Sequence, residues 1–432
     1  MRASALGLGW IGLAWRGRAP DTRSGGDMSL TRKLWVIALV YVIEGFPMGV
    51  YMDVWPVYLR RSGVSLAEIG LLSGLSMAWS AKVLWSPLVD RHGERQHWIA
   101  GALVVMAAAL AVLAVAPPVD RIGPLVWAAF ALFCLASATQ DVAIDAYTIG
   151  LVDRGEEGPA NSVRVGAYRA GLIAAGGGLL FLPRFLGWSG TFAVAAGLSL
   201  AMAVGLRATP RLATRRSATP DSPGPSEHPR DGAFTTWLSR PELLGVALFV
   251  MLYRVGDRAM GPMVKPFWVD RGFADEEIAL VSTTLGALAT VVGALVGGAF
   301  VRRFGIARSL VWLGLLALGS NLTYAAAAAL PESGRSGVYA ASIAESFCGG
   351  LATAAFMSYL MHVCEKRHAA VQYATLTALY ALAGSLVAVP SGWLAQRLDY
   401  AAYFALTAVF ALPAFAFLRA AGGWIDEGEP VP

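Results

Sequence analysis

Charge is what this sequence has least of. Of 432 residues, only 15% are Asp, Glu, Lys or Arg, while 56% are apolar. A water-facing domain carries about a quarter charged residues, so this chain has too few to coat a soluble surface. Cysteine and histidine are also scarce. Cys134, Cys348 and Cys364 stand alone in apolar segments, and no Cys-x-x-Cys pair occurs, which supports neither a disulfide framework nor a zinc ribbon. The five histidines fall in the polar linker or near the ends of apolar segments. Neither His-Glu-x-x-His nor Gly-x-Ser-x-Gly is present, so nothing points to an enzyme, a bound metal or a cofactor.

What is abundant is long apolar sequence. The blocks 34–58, 99–116 and 401–418 approach or exceed the ~20 residues that cross ~30 Å of hydrocarbon. A soluble repeat protein would interrupt them with a polar face at every turn. The pattern predicts an all-α membrane protein with about 12 spans. Six fall at 34–59, 69–89, 98–116, 124–150, 162–184 and 190–207; six more at 241–268, 277–300, 308–330, 337–363, 371–395 and 400–419. With both termini inside, basic residues on the cytoplasmic connections and linker outnumber those on the outer loops fourteen to seven. The positive-inside bias therefore fixes the orientation, both termini cytoplasmic, and the expected location is a bacterial inner membrane. The +5 net charge is accounted for by this topology, and no soluble basic cluster invites nucleic acid.

Residues 208–232 are rich in Pro, Ser, Thr and Arg and read as part of a cytoplasmic linker, 208–240. It separates a first bundle, 34–207, from a second, 241–419, with tails at 1–33 and 420–432. Residues 1–27 have no part in this plan, and Met28 is a candidate start. Gly7-Leu-Gly-Trp-Ile-Gly12 has the spacing of a nucleotide-binding loop but follows no strand. The two halves repeat each other. Pro56-Val-Tyr-Leu-Arg-Arg-Ser-Gly-Val-Ser-Leu-Ala-Glu-Ile aligns with Pro266-Phe-Trp-Val-Asp-Arg-Gly-Phe-Ala-Asp-Glu-Glu-Ile, one residue shorter. Ser86-Pro-Leu-Val-Asp-Arg-His-Gly aligns with Gly298-Ala-Phe-Val-Arg-Arg-Phe-Gly. A duplicated six-helix unit is the plan of a major facilitator fold, two pseudo-symmetric six-helix bundles. Asp90-Arg91-His-Gly93 resembles that superfamily's gating loop, and Ser65-Leu-Ala-Glu68 is a capping box opening helix 2.

Ionisable residues inside a membrane are expensive and face one another or an aqueous cavity. Helix 4 carries Gln140, Asp141 and Asp145, the aspartates four apart on one face. Helix 5 returns with Arg164, Tyr168 and Arg169. A hairpin turning at 151–161 brings Asp141 level with Arg169, each ~12 Å deep, and Asp145 level with Arg164. One interhelical network is expected, either coupling protons or clamping the helices. Helix 1 holds Glu44 near mid-membrane, before a kink-permitting Gly45-Phe-Pro47. Helix 7 holds Arg254, Asp257 and Arg258, and the repeat places Arg254 opposite Glu44, so the two are expected to meet across a central cavity. Glu345 is the acid of helix 10. Lys82 and Lys265 either face such acids or snorkel to an interface. The aromatics Trp55, Trp79, Trp85, Phe267, Trp268, Tyr359 and Tyr373 read as packing or belt residues more than as cavity walls.

These residues resemble the AmpG-like muropeptide permease branch of the major facilitator superfamily, over most of 44–417. The resemblance rests on Gln140-Asp-Val-Ala-Ile-Asp-Ala-Tyr147, Val165-Gly-Ala-Tyr-Arg-Ala-Gly171, Glu345-Ser-Phe-Cys-Gly-Gly-Leu-Ala-Thr-Ala-Ala-Phe356 and Val371-Gln-Tyr-Ala374. Trp79, Lys82, Leu84-Trp-Ser-Pro-Leu88 and Asp90-Arg91 add to it. It implies a symporter that imports a small polar or anionic solute, a muropeptide-type fragment, by alternating access, driven by the proton gradient without a cofactor and working as a monomer. Glu44, Asp141, Asp145 and Glu345 are then the proton-coupling candidates. Lys82, Gln140, Arg164, Tyr168, Arg169, Arg254, Asp257, Gln372 and Tyr373 are the substrate or counter-charge candidates. The sequence departs from the branch at Ala383-Gly-Ser385, where the branch has Val-Gly-Arg. Siderophore and acetyl-CoA transporters of the same group, and drug or metabolite exporters of the same fold, remain alternatives.

Overall fold

The structure, a computed structural model, describes residues 28–91, 93–116, 122–153, 155–206, 209, 243–330, 332, 334–364, 369–419 and 422–423, with the backbone alone at Asp90 and 369–371. The expected N-terminal extension 1–27, nearly all of the 208–240 linker and most of the 420–432 tail lie outside these residues. The described chain forms twelve helical rods and no strand. Helix α1 runs Leu30–Arg61, α2 spans 66–91 in several turns of helix, and α3 is Arg95–Val115. Next come α4, Pro124–Leu151, α5, Glu157–Leu179, and α6, Pro183–Gly205. The second half opens with α7 in two pieces, Leu243–Leu252 and Val255–Asp270. Then follow α8, Asp275–Phe304, α9, Ile306–Ala329, and α10, Gly334–His362. The chain closes with α11, Ala369–Ala388, and α12, Ser391–Ala416.

Eight of these rods are long and apolar enough to cross a membrane. The other four, α2, α5, α7 and α11, all pack along the junction between the first six helices and the last six. Two of them are not single unbroken rods: α2 is interrupted by 3-10 turns at Ser73–Ser76 and Lys82–Leu84, and α7 breaks between Leu252 and Val255.

The duplication extends into the backbone. Six of the eight left-handed residues among the described ones fall in pairs at equivalent turns: Gly63 and Gly272 (φ 89° and 73°), Gly93 and Gly305 (74° and 80°), and Gly187 and Asp399 (64° and 67°). A left-handed residue with a side chain costs ~1–2 kcal/mol. At Asp399 the carboxylate offsets part of this by accepting from the Ala402 N–H at 2.9 Å. As expected, Ser65 caps α2, its Oγ accepting from the Glu68 N–H at 3.2 Å and donating to the Glu68 carboxylate at 3.0 Å.

The halves meet mainly at one end of the bundle, that of the α1–α2 and α7–α8 turns. There α1 packs on α7, α5 on the start of α8, and α2 on α11 and α12. Among the described residues, packing of comparable extent is not found between the halves toward the α2–α3 end. We call the first end sealed and the other open. Two helices widen where they cross the seal. In α1, Pro47 precedes a π-helical stretch, Val50–Val54, and α8 has its own at Ile278–Leu285. Such bulges cost hydrogen-bond geometry and collect at functional sites.

Within the first half, α1 and α5 touch backbone to backbone. A Cβ on Gly171 would strike the Val42 carbonyl, and one on Gly45 would strike the Tyr168 carbonyl. Most of the large aromatics are packing residues. Trp55 is fully buried, 4.2 Å and 4.8 Å from Phe130 and Phe133 between ring centres, and Trp268 is stacked on Tyr339 at 5.7 Å.

Candidate functional site

In the first half, acids and bases converge from four helices. The Asp145 carboxylate (α4) accepts from the Tyr41 hydroxyl (α1) at 2.9 Å, and the same oxygen lies 2.9 Å from the Arg164 guanidinium (α5). That guanidinium also sits over the Tyr41 ring, 4.9 Å from its centre. Asp145 and Arg164 therefore meet as their levels on the hairpin predicted. Asp141 does not follow the prediction. Its partner is Lys82, on the 3-10 turn Lys82–Leu84 of α2, and Arg169 makes no ion pair among the described residues. Equal depth on two helices does not make two residues face each other, and Lys82 reaches Asp141 from the side.

Glu44 is half-buried beside Asp141, with Asp145 and Arg164 further off. Its Oε2 is closed off from solvent without a hydrogen-bond partner among the described residues. Gln140 is fully buried and donates to the Ile43 carbonyl at 3.5 Å. Tyr168 is half-buried near Glu44, Asp141 and Arg169. A cavity of about 320 Å³ borders the network, lined by Lys82, Arg95, Val142, Asp145, Ala146 and Ile149. It reaches Arg95 at the start of α3 and so points to the open end. A larger hollow of about 590 Å³ between α3 and α4 is lined mainly by apolar side chains such as Val105, Leu132 and Leu135. It suits an acyl chain and holds none of this chemistry.

In the second half, Arg254 sits at the break in α7. It binds Asp257 at 2.7 Å, the Gly349 carbonyl at 2.7 Å and the Thr353 hydroxyl. Glu345 stands in range of Asp257 and Arg254, and accepts from the Ser346 hydroxyl at 3.3 Å. The expected meeting of Glu44 and Arg254 does not occur, because each is held within its own half. Gln372 is buried on α11. The Tyr373 hydroxyl points at the Met357 sulfur, 3.6 Å away. Arg91 of the expected gating loop is exposed, and the Asp90 side chain lies outside the described residues.

Between the halves, Lys265 of α7 is nearly buried and lies 2.7 Å from Asp53 of α1. It also donates to Ser282 at 3.0 Å and Thr283 at 2.7 Å, and Thr283 in turn donates to Asp53 at 2.9 Å. Asp53 lies in one π-helical stretch, and Ser282 and Thr283 lie in the other. Further out, Arg60 pairs with Asp270 at 2.6 Å, Arg61 with Asp275 at 2.9 Å and Arg184 with Glu276 at 3.3 Å. Each of these contacts joins the two halves, and together they close the sealed end.

Residues 37–255 and 246–431 each match the profile of the Major Facilitator Superfamily. The chain belongs to that superfamily. It is 28% identical over 391 residues to the anhydromuropeptide permease of Escherichia coli (strain K12), covering 89% of this chain and 78% of that one. It is 26% identical over 407 residues to AmpG 4 of Rickettsia conorii, covering 89% and 95%. Among solved structures, a bacterial homologue of the human lysosomal transporter Spinster, inward-facing and unoccupied, superposes with a TM-score of 0.74. That match has 16% identity and covers 93% of this chain and 99% of that one. The protein is thus an AmpG-like multi-pass facilitator that moves a small solute, and its relatives are transporters rather than enzymes.

Several residues of this facilitator escaped the sequence reading. Asp53 follows Glu44 in an otherwise apolar helix, and a charge in such a run was the available signal. Tyr41 gave none, since a tyrosine in an apolar helix reads as packing. For Lys265 the sequence allows either an acid or an interface, and the structure pairs it with Asp53. Lys33, fully buried at the start of α1, pairs with Asp153 at 2.5 Å and Glu156 at 2.8 Å on the α4–α5 connection. The Lys33 ammonium holds the Glu156 carboxyl below the usual carboxylate range.

Proposed function

We propose that this protein is a proton-coupled importer of an anionic, muropeptide-type cell-wall fragment, working by alternating access across the bacterial inner membrane. Both termini then lie in the cytoplasm, the sealed end faces outward and the open end inward. The observation that carries this reading is the cluster of Glu44, Asp141 and Asp145 with Lys82 and Arg164, beside a cavity leading to the open end. Three carboxyls facing two cations leave one negative charge over, and a proton from the gradient is what offsets it. Glu44, without a hydrogen-bonding partner for Oε2, is the group that carries it. A proton arriving at this cluster loosens the hold of Asp141 on Lys82, and a freed Lys82 changes what the cavity binds. Glu345, beside Asp257 and Arg254, is the corresponding acid of the second half.

The name of the Escherichia coli relative supports the solute class, and the cations around the cavity support an anion. The driving force is the proton gradient, with no cofactor, and one chain holds both halves of the path, so a monomer suffices. The test is uptake of radiolabelled anhydromuramoyl tripeptide into proteoliposomes under an imposed pH gradient. Uptake is expected with the native chain and is lost in Asp141→Asn. Uptake indifferent to a protonophore overturns the proton role, and uptake of a siderophore or acetyl-CoA instead overturns the solute.

A further inference from the structure

Arg258 lies about halfway along α7, yet its side chain is exposed. A guanidinium at that depth does not face lipid at tolerable cost, so it faces the space between the halves. Tyr51 and Tyr168 of the first half are both within its electrostatic range, which places it toward them. The side chain is held from one side only. Its Nε donates to the Tyr380 hydroxyl of α11 at 3.0 Å, and its guanidinium carbon lies 4.8 Å from the Tyr380 ring centre. Its stem rests on Gly384, where a Cβ would come within 3.1 Å, 3.2 Å and 3.3 Å of Cγ, Cδ and Nε.

This clamp leaves the two terminal nitrogens uncommitted among the described residues. The other cations near mid-membrane are spoken for: Lys82 by Asp141, Arg164 by Asp145, Arg254 by Asp257 and Lys265 by Asp53. The exception is Arg169. It lies on the stripe of α5 shared with Ile173 and Gly177, four and eight residues on. That stripe meets α8 at Gly177, whose Cβ would approach Thr284 to 2.9 Å, and Arg169 sits two turns nearer the open end. Two guanidiniums without an acid partner, one from each half, therefore border the same space.

We propose that Arg258 is the anion-recognition residue of the central cavity, its two free nitrogens gripping a carboxylate or phosphate of the solute from one half while Arg169 meets the same charge from the other. A guanidinium with Nε already bound presents a planar two-nitrogen fork, which matches the paired oxygens of either group. Tyr380 orients the fork and Gly384 makes room for its stem. The inference rests on the transport reading for its purpose, but the binding it describes is measured separately.

The test uses the full chain in detergent, with affinities measured for an anhydromuramoyl tripeptide, for the same compound with its carboxyls amidated, and for acetyl coenzyme A. Binding of the acid form identifies a carboxylate source, and binding of acetyl coenzyme A a phosphate source. Amidation, or Arg258→Gln, is expected to weaken carboxylate binding by at least about tenfold, the scale of one charge-assisted hydrogen bond. Arg258→Lys restores only part of it, because charge returns without the fork. Tyr380→Phe and Gly384→Ala, which leave the arginine but disturb its aim, weaken binding less and carry the test if Arg258→Gln fails to fold. Wild-type affinity in a folded Arg258→Gln, equal binding of the amidated compound where the acid binds, or no binding of either anion overturns the proposal. Arg258-dependent binding without uptake in proteoliposomes sinks the transport reading instead, and proton-driven uptake indifferent to Arg258→Gln sinks this one alone.

Discussion

Asp53 of α1 and Lys265 of α7 form a buried ion pair of 2.7 Å that joins the two halves where two π-helical stretches meet. Removing one partner of a buried pair leaves the other uncompensated, at a cost of about 3–5 kcal/mol. Asp53→Asn or Lys265→Met is therefore expected to weaken the seal. Cysteines introduced beside it should label faster with a membrane-impermeant maleimide added from the sealed side. Unchanged labelling in both variants would mean that the exposed pairs of Arg60, Arg61 and Arg184 hold this end closed by themselves.

The partner of Asp141 can be read from coupling energies. Asp141 and Lys82 should couple by more than about 1 kcal/mol in a double-mutant cycle on thermal stability, while Asp141 and Arg169 should add within about 0.5 kcal/mol. Coupling to Arg169 and none to Lys82 would reverse the assignment.

Tyr41 touches both members of the Asp145–Arg164 pair, through its hydroxyl and through its ring. Tyr41→Phe keeps the ring and is expected to cost about 1 kcal/mol, the net worth of one hydrogen bond. Tyr41→Leu loses the cation–π contact as well and should cost more. Chemical denaturation of the two variants distinguishes them, and equal losses would leave the ring without a role.

The α1–α5 crossing has no room for a side chain at Gly171. Gly171→Val is expected to abolish folded protein in the membrane, whereas Gly178→Val, with nothing within 4 Å of its Cβ, should leave expression near wild type. Fluorescence-detected size exclusion of tagged variants is the measurement.

The contact between Lys33 and Glu156 gives a pH dependence of definite sign. The Glu156 carboxyl titrates lower in the folded chain than when unfolded, so its contribution is complete above the unfolded value of ~4.3 and disappears as pH falls through the folded one. Hydrogen exchange on the α4–α5 connection should quicken with acid over that interval in the native chain. Glu156→Gln should exchange faster at neutral pH and lose that dependence, and identical profiles would remove the contact from the account.

The candidate site was legible in its ingredients and not in its pairings. Glu44, Asp141, Asp145, Arg164 and Arg254 stand out because charge inside an apolar run is conspicuous at any register. Depth along a helix, at ~1.5 Å per residue, also follows from position in the chain. That was enough to match Asp145 with Arg164. It was not enough for Asp141, since which of several cations at similar depth faces a carboxylate depends on helix rotation and tilt. Tyr41 and Asp53 show the other limit, one resembling packing and the other lying where a proline-led bulge turns it toward another helix.

The sequence by itself determined the class of this protein, its twelve helices and its duplication. Hydrocarbon admits only helices long enough to cross it and tolerates few charges, and the paired glycine turns are written into both halves. The tertiary structure alone decided which half each charge answers to. It bound Lys82 to Asp141, drew Lys265 across to Asp53, kept Glu44 and Arg254 apart and left the fork of Arg258 open. Those outcomes depend on how two bundles are rotated and rocked against each other, and no spacing along one chain encodes that relation.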